Sequence, residues 1–165
     1  MTIKLPEIAT APNGGLGFDY TIDLSAEEVN FERPFYSPVR ISGHVSDNSG
    51  MVRLSGVIEA EVSTRCARCA KPVAYHKAVN VDFMLATTLE GEDVDDIFVI
   101  ESDDIELDDI FVPELIMDME MSVLCREDCA GLCPKCGKNL NEGQCACDRR
   151  EIDPRLEKLR QLLDE

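Results

Sequence analysis

Eight cysteines stand at Cys66-x2-Cys69, Cys125-x3-Cys129-x3-Cys133-x2-Cys136 and Cys145-x-Cys147. These spacings suit metal ligation. Zn²⁺ takes four soft ligands in a tetrahedron, at about 2.3 Å from each sulfur. A two-residue spacer lets one tight turn aim two thiolates at one ion. In Cys133-Pro134-Lys135-Cys136-Gly137-Lys138, Pro134 stiffens the turn, and Gly137 is free to take positive φ so that backbone N–H groups point at sulfur. Cys145 and Cys147 are two residues apart, so an extended chain projects both to the same side. Eight thiolates make two complete sets. The preferred pairing puts Cys133, Cys136, Cys145 and Cys147 around one ion, and Cys66, Cys69, Cys125 and Cys129 around a second. A single zinc that uses four of the six C-terminal cysteines, or mixes the two regions, stays open as the alternative.

Three rival chemistries fit less well. Structural disulfides require an oxidising compartment. Met1 to Pro6 carries no long apolar stretch of the kind that marks export, which predicts a cytoplasmic chain with reduced thiols. A redox pair at Cys66 and Cys69 needs a CxxC that opens a helix after a strand, whereas this pair falls at a hairpin tip followed by Pro72. A catalytic zinc keeps an open position and commonly uses His or carboxylate ligands. The two histidines, His44 and His76, fall on strand faces opposite the apolar alternation and read as surface residues. No Gly-rich phosphate loop and no nucleophile with a positioned base is present, so catalytic residues are expected to be absent.

Charge is unevenly placed. The net formal charge of -17 arises from 16 basic and 33 acidic side chains. Residues 78–125 hold fifteen of the acids and no Lys or Arg, while the segments on either side are nearly balanced. Such a field repels phosphate backbones and attracts basic partners. Basic residues gather instead around the cysteines, at Arg65, Arg68, Lys71, Arg126, Lys135, Lys138, Arg149 and Arg150. They read first as compensation for the net negative charge of four-thiolate zinc sites, and second as an RNA-binding patch. No apolar run is long enough to span a bilayer.

The elements that position the cysteines follow from periodicity. Leu16, Phe18, Tyr20, Ile22 and Leu24 alternate as one half-buried strand, and Val39, Ile41, Gly43 and Val45 as a second. Ser25 to Glu28 reads as a short helical turn with a capping box. Asp47-Asn48-Ser49-Gly50 is a turn cluster. Val52 to Val62 forms a long strand, and Val73 to Leu85 its hairpin partner, interrupted on the apolar face by Lys77; Cys66 to Pro72 is the tip. Residues 87–96 read as an acidic loop, and Ile97–Ile100 and Ile105–Leu107 as short strands. The period then changes: Val112, Leu115, Ile116, Met119 and Val123 predict an amphipathic acidic helix that starts between Asp109 and Pro113 and runs to about Leu124. A last short helix is signalled by Asp153, Pro154, Leu156, Leu159, Leu162 and Leu163. The expected fold is α+β: an antiparallel sheet with an acidic helix over residues 1–124, then a zinc-bound tail over 125–165 that ends in a short helix.

The string CREDCAGLCPKCGKNLNEGQCAC from Cys125 to Cys147, followed by Ile152-Asp153-Pro154-Arg155-Leu156, resembles the cysteine-rich branch of the YceD family, the large ribosomal RNA subunit accumulation proteins. The Cys66-x2-Cys69 pair after a long alternating strand and the opening Asp19-Tyr20-Thr21-Ile22-Asp23-Leu24 fit the same family, so the resemblance covers nearly the whole chain. It implies a non-enzymatic role in accumulation or processing of large-subunit ribosomal RNA, and it carries over no catalytic residues. The acidic block points to a basic ribosomal protein or assembly factor as direct partner, with no membrane and no small-molecule substrate. The rival functions are an RNA-binding zinc module that contacts ribosomal RNA directly, and a metal-dependent nuclease.

Overall fold

A computed structural model describes residues 1–11, 14–48, 50–86, 97–100 and 102–147. The acidic loop at 87–96 and the terminal helix expected from Asp153 lie outside the described residues. The elements run β1 (Thr2–Lys4), α1 (Leu5–Thr10), β2 (Gly15–Ile22), β3 (Val39–Asn48), β4 (Met51–Arg65), β5 (Pro72–Ala86), β6 (Ile97–Val99), β7 (Asp104–Glu106) and α2 (Leu107–Met117).

The alternating segments become strands as their period of two requires. β2 to β5 form a meander in sequence order, and β6 completes the five-stranded sheet. Its spine is the β4–β5 hairpin, paired without a break from Val52↔Leu85 to Arg65↔Pro72. This ladder carries the Cys66–Pro72 tip well beyond the other strands. One sheet face is apolar and buried, through Ile41, Leu54, Ile58, Val62, Val79 and Val81 among others. The other face is a charged lattice in which Arg40 grips Asp19 at 2.7 Å and Arg53 Nε reaches Asp82 at 2.8 Å, both diagonal neighbours across strands. His44 and His76 lie exposed, as the alternation predicts.

The sheet is mixed, which corrects the all-antiparallel expectation: β6 pairs parallel to β5, with Met84↔Ile97 and Ala86↔Val99. Running in this direction, Phe98 meets Phe83 with ring centroids 6.0 Å apart, and Ile100 enters the core and donates its N–H to the Ala86 carbonyl. The reverse direction would carry Ile100 away from that pocket. β7 then leaves for a separate two-stranded sheet with β1. β1 and α1 escape the periodicity argument because each is too short to show a period. They bury Ile3 and Ile8.

The helix also differs from expectation. It starts at Leu107 rather than beyond Asp109, and its buried stripe is Leu107, Ile110, Phe111 and Leu115. It ends at Met117, well short of Leu124. The end has a physical cause. Beyond Met119 the chain turns toward the hairpin, where the Val123 carbonyl accepts the Ala67 N–H at 2.9 Å, so it cannot keep helical bonds. The Ser25 segment is a plain turn in which the Asp23 carboxylate, not Ser25, accepts a backbone N–H.

α2 sits close to the sheet because two glycines make room for it. Gly43 and Gly56 pair directly across β3 and β4, on the apolar face. A Cβ on Gly56 would come within 2.9 Å of the Phe111 ring, and one on Gly43 within 2.7 Å of Phe18. The two rings meet edge to face over this slot, at 5.8 Å and 74°.

Candidate metal centre

The hairpin tip is a tight knuckle. The Cys66 N–H donates to the Lys71 carbonyl at 2.8 Å, and the Ala70 N–H to the Cys66 carbonyl at 2.8 Å. The turn closes because Ala70 takes φ +57°, in the left-handed region. The second CxxC repeats this construction position by position. Cys133 N–H donates to Lys138 O, Gly137 N–H donates to Cys133 O, both at 2.8 Å, and Gly137 takes φ +72°. Both turns therefore read Cys-x-x-Cys-small-Lys. The Gly137 half of that pattern was legible in the sequence; the equivalence of Ala70 was there too, but an alanine does not advertise positive φ.

The structure gathers the cysteines into two sets of four. Cys66, Cys69, Cys125 and Cys129 have all sulfurs within 4.8 Å of one another, and so do Cys133, Cys136, Cys145 and Cys147. Within the first set Cys66 Sγ lies 3.8 Å from Cys129 Sγ, and Cys69 Sγ lies 3.6 Å from Cys125 Sγ. Four sulfurs at bonding distance from one zinc form a tetrahedron with edges of about 3.8 Å. A disulfide would need about 2.05 Å. The donor set thus fits a four-thiolate ion. Cys66, Cys69, Cys129 and Cys133 are buried, Cys125 and Cys136 are exposed, and Cys145 and Cys147 are half-buried. Neither histidine belongs to either set.

Without a cation, four thiols in this space resist full ionisation. The Cys125 N–H, donating to Cys66, is the chief cause that brings the Cys66 thiol down to about 6. Hydrogen bonding to Cys69 pushes Cys125 up to about 12. In the second set, N–H groups of Cys136 and Lys135 lower Cys133, while bonding to Cys136 pushes Cys147 up to about 12. In each set at least one thiol is lowered by backbone N–H groups while another is raised by its neighbours. Only a cation among them would let all four ionise.

Several of the surrounding bases, though exposed, bond to the framework that carries the cysteines. Arg68 donates to the Cys129 carbonyl at 3.0 Å, Lys71 pairs with Glu142 at 2.9 Å, Arg126 reaches Asn141 Oδ1 at 2.6 Å, and Lys138 donates to the Gln144 carbonyl at 2.9 Å. Arg65 remains 73% exposed. Arg149 and Arg150 lie outside the described residues. Asn141 and Glu142, in a short 3₁₀ turn at Leu140–Glu142, are site residues that the spacing argument did not find. The Asn-rich loop composition was the available signal.

No described helix is long and apolar enough to cross a membrane. No solved structure matches the chain. Among known sequences, the Bacillus subtilis protein YlbN is 28% identical over 156 residues, 92% of this chain and 90% of its own length. A Mycobacterium tuberculosis protein is 30% identical over 116 residues, 68% of this chain and 56% of its own length. A chloroplastic protein of Zea mays, named as a YCED homolog for large ribosomal RNA subunit accumulation, is 28% identical over 148 residues. The chain spans about half the length of these last two relatives, at 56% and 50%. The family model described as large ribosomal RNA subunit accumulation protein YceD matches residues 54–163, from the first residues of β4 through both cysteine sets, and this chain belongs to the YceD family.

Proposed function

We propose that this chain is a non-enzymatic factor for accumulation of large-subunit ribosomal RNA, and that it acts in ribosome assembly by binding, on a scaffold held by two zinc ions. The observation that carries the reading is the pair of four-sulfur sets in a member of this family. Cys66, Cys69, Cys125 and Cys129 hold one ion, and Cys133, Cys136, Cys145 and Cys147 the other. With four protein ligands each, neither site keeps a position for water or substrate, so the zinc supplies folding free energy. The direct partner is a basic ribosomal protein or assembly factor, and the place of action is the cytoplasm.

A tagged pull-down from cells, with protein and RNA both identified, tests this. Precursors of the large ribosomal subunit should be enriched, and depletion of the protein should lower large-subunit ribosomal RNA relative to small-subunit RNA. Recovery of no ribosomal component, or unchanged RNA ratios, would overturn it. Elemental analysis should find two zinc ions per chain. RNA recovered from purified components with a steep salt dependence would favour the rival reading, a zinc module that contacts RNA directly.

A further inference from the structure

One side chain ties the two cysteine sets together. Asn141 belongs to the loop between Cys136 and Cys145, which the second set closes. Its side chain nevertheless addresses the first set. Asn141 Oδ1 accepts the Ala130 N–H at 2.8 Å and an Arg126 guanidinium N–H at 2.6 Å. Because a backbone N–H can only donate, the carboxamide oxygen must face it, and the NH₂ group is turned the other way. That NH₂ donates to Cys129 Sγ at 3.4 Å and to Asn139 Oδ1 at 2.7 Å. Asn141 thus fixes the segment that carries Cys129 and aims a hydrogen-bond donor at its sulfur.

Asn141 itself sits in a loop that the second set brackets at Cys136 and Cys145. Its own N–H donates to Asn139 Oδ1, and the neighbouring Leu140 N–H donates to the Gly131 carbonyl at 2.9 Å. The loop has little apolar anchorage: Leu140, its one large apolar residue, is only partly covered. Closing Cys133, Cys136, Cys145 and Cys147 on one ion would fasten both ends of this loop.

We infer that the two metal sites are energetically coupled, with Asn141 as the positioning residue that carries the coupling: an ion in the second set prepares Cys129 for the first. The inference rests on the proposal that both sets hold metal. Linkage then requires the converse, that an ion in the first set favours closure of the second by the same factor.

The test is Co²⁺ binding to the full chain by chelator competition, monitored through the thiolate-to-cobalt absorption. Cys69→Ser and Cys145→Ser each disable one set and supply the single-site constants. The two-ion constant of the unmutated chain should exceed their product by about tenfold or more, the range of effects seen for residues behind the metal ligands. Asn141→Asp keeps the acceptor for Ala130 and Arg126 but removes the donor to sulfur. It should bring the two-ion constant down to the product and shift the absorption of the first site, with protection of the sheet amides unchanged. Two bound ions whose constants simply multiply in the unmutated chain would overturn the coupling while leaving the metal sites intact. Coupling that survives both Asn141→Asp and Asn141→Ala would overturn the role of Asn141. A chain that binds no Co²⁺ at either set would overturn the two-metal reading itself.

Discussion

The Lys77 ammonium lies 2.8 Å from the Asp118 carboxylate and 3.0 Å from Glu120, on a side chain only 13% exposed. Lys77 occupies the apolar face of β5, where the alternation calls for a hydrophobe. It is there because α2 ends beside it: Asp118 caps the helix, and Glu120 also accepts the Tyr75 hydroxyl at 2.9 Å. These bonds turn the chain out of the helix and toward the hairpin tip, where it delivers Cys125. Lys77→Ala should therefore cost about 1–2 kcal/mol, from two partly exposed ion pairs and the packing of the lysine stem. Chemical denaturation measures it, and an unchanged midpoint would show that the turn is held by Val123 and the cysteines alone.

Acid should weaken the charged lattice of the outer face and the Lys77–Glu120 pair at the end of α2. Hydrogen bonds from Arg40 and Arg53 hold Asp19 and Asp82 below the usual carboxylate range, and Glu120 is held down by its own backbone N–H and by Lys77. Depressed folded-state values mean that the unfolded chain binds more protons as pH falls. This stabilisation is therefore whole above the ordinary carboxylate pKa of about 4 and is lost as pH drops through the folded values. Arg53→Met should make the midpoint fall less steeply between about pH 5 and pH 3. Equal slopes in the variant and the unmutated protein would remove Asp82 from the account.

The glycine slot predicts a packing defect. Gly43→Ala would place a methyl 2.4 Å from the Ser55 carbonyl as well as against Phe18, and Gly56→Ala would press on Phe111. Overpacking of this kind costs about 1–3 kcal/mol. Phe111→Leu should recover part of the loss in Gly56→Ala, and little in a distant core variant. The absence of such rescue would mean that the Ser42 carbonyl, 2.6 Å from the added methyl, and not Phe111 sets the cost.

The two knuckles should respond in opposite directions to the same exchange. Ala70→Gly relieves a left-handed alanine worth about 1 kcal/mol, partly offset by the freedom of glycine in the unfolded chain. Gly137→Ala incurs the strain. The first should tighten retention of metal at the Cys66 set, and the second should loosen it at the Cys133 set, both read by chelator competition. Cys136→Ser should go further and unfold residues 125–147 while amide protection in β3 and β4 survives. Equal loss in both regions would show one cooperative unit.

For the partner, the structure refines which acids to test. Asp118 and Glu120 are already paired with Lys77, and Glu92, Asp93, Asp95 and Asp96 lie outside the described residues. Asp109 and Glu114 on α2, joined with those four, form the set whose neutralisation should weaken capture of ribosomal precursors, with zinc content unchanged. Arg65→Gln should matter less. Neutralising Arg68 or Lys71 is a poorer control, because both brace the cysteine framework. The reverse ranking would favour direct RNA contact.

Residue types and spacing alone were enough to specify the strands β2 to β5, the hairpin and its cysteine tip, because a period of two and a CxxC turn are local properties of the chain. They also marked all eight cysteines as a ligand inventory. They could not divide that inventory uniquely, since Cys125 and Cys129 meet Cys66 and Cys69 only after the 55 residues between Cys69 and Cys125 have folded. The parallel seat of β6, the early start and end of α2 and the Gly43–Gly56 slot were likewise decided by tertiary packing. In each case the deciding contact joins segments that share no local pattern: Ile100 with Ala86, Val123 with Ala67, Phe111 with Gly56. The link between the two cysteine sets is of the same kind. Nothing in the composition of the loop distinguishes Asn141 from Asn139, and only the folded chain turns one of them toward Cys129 Sγ.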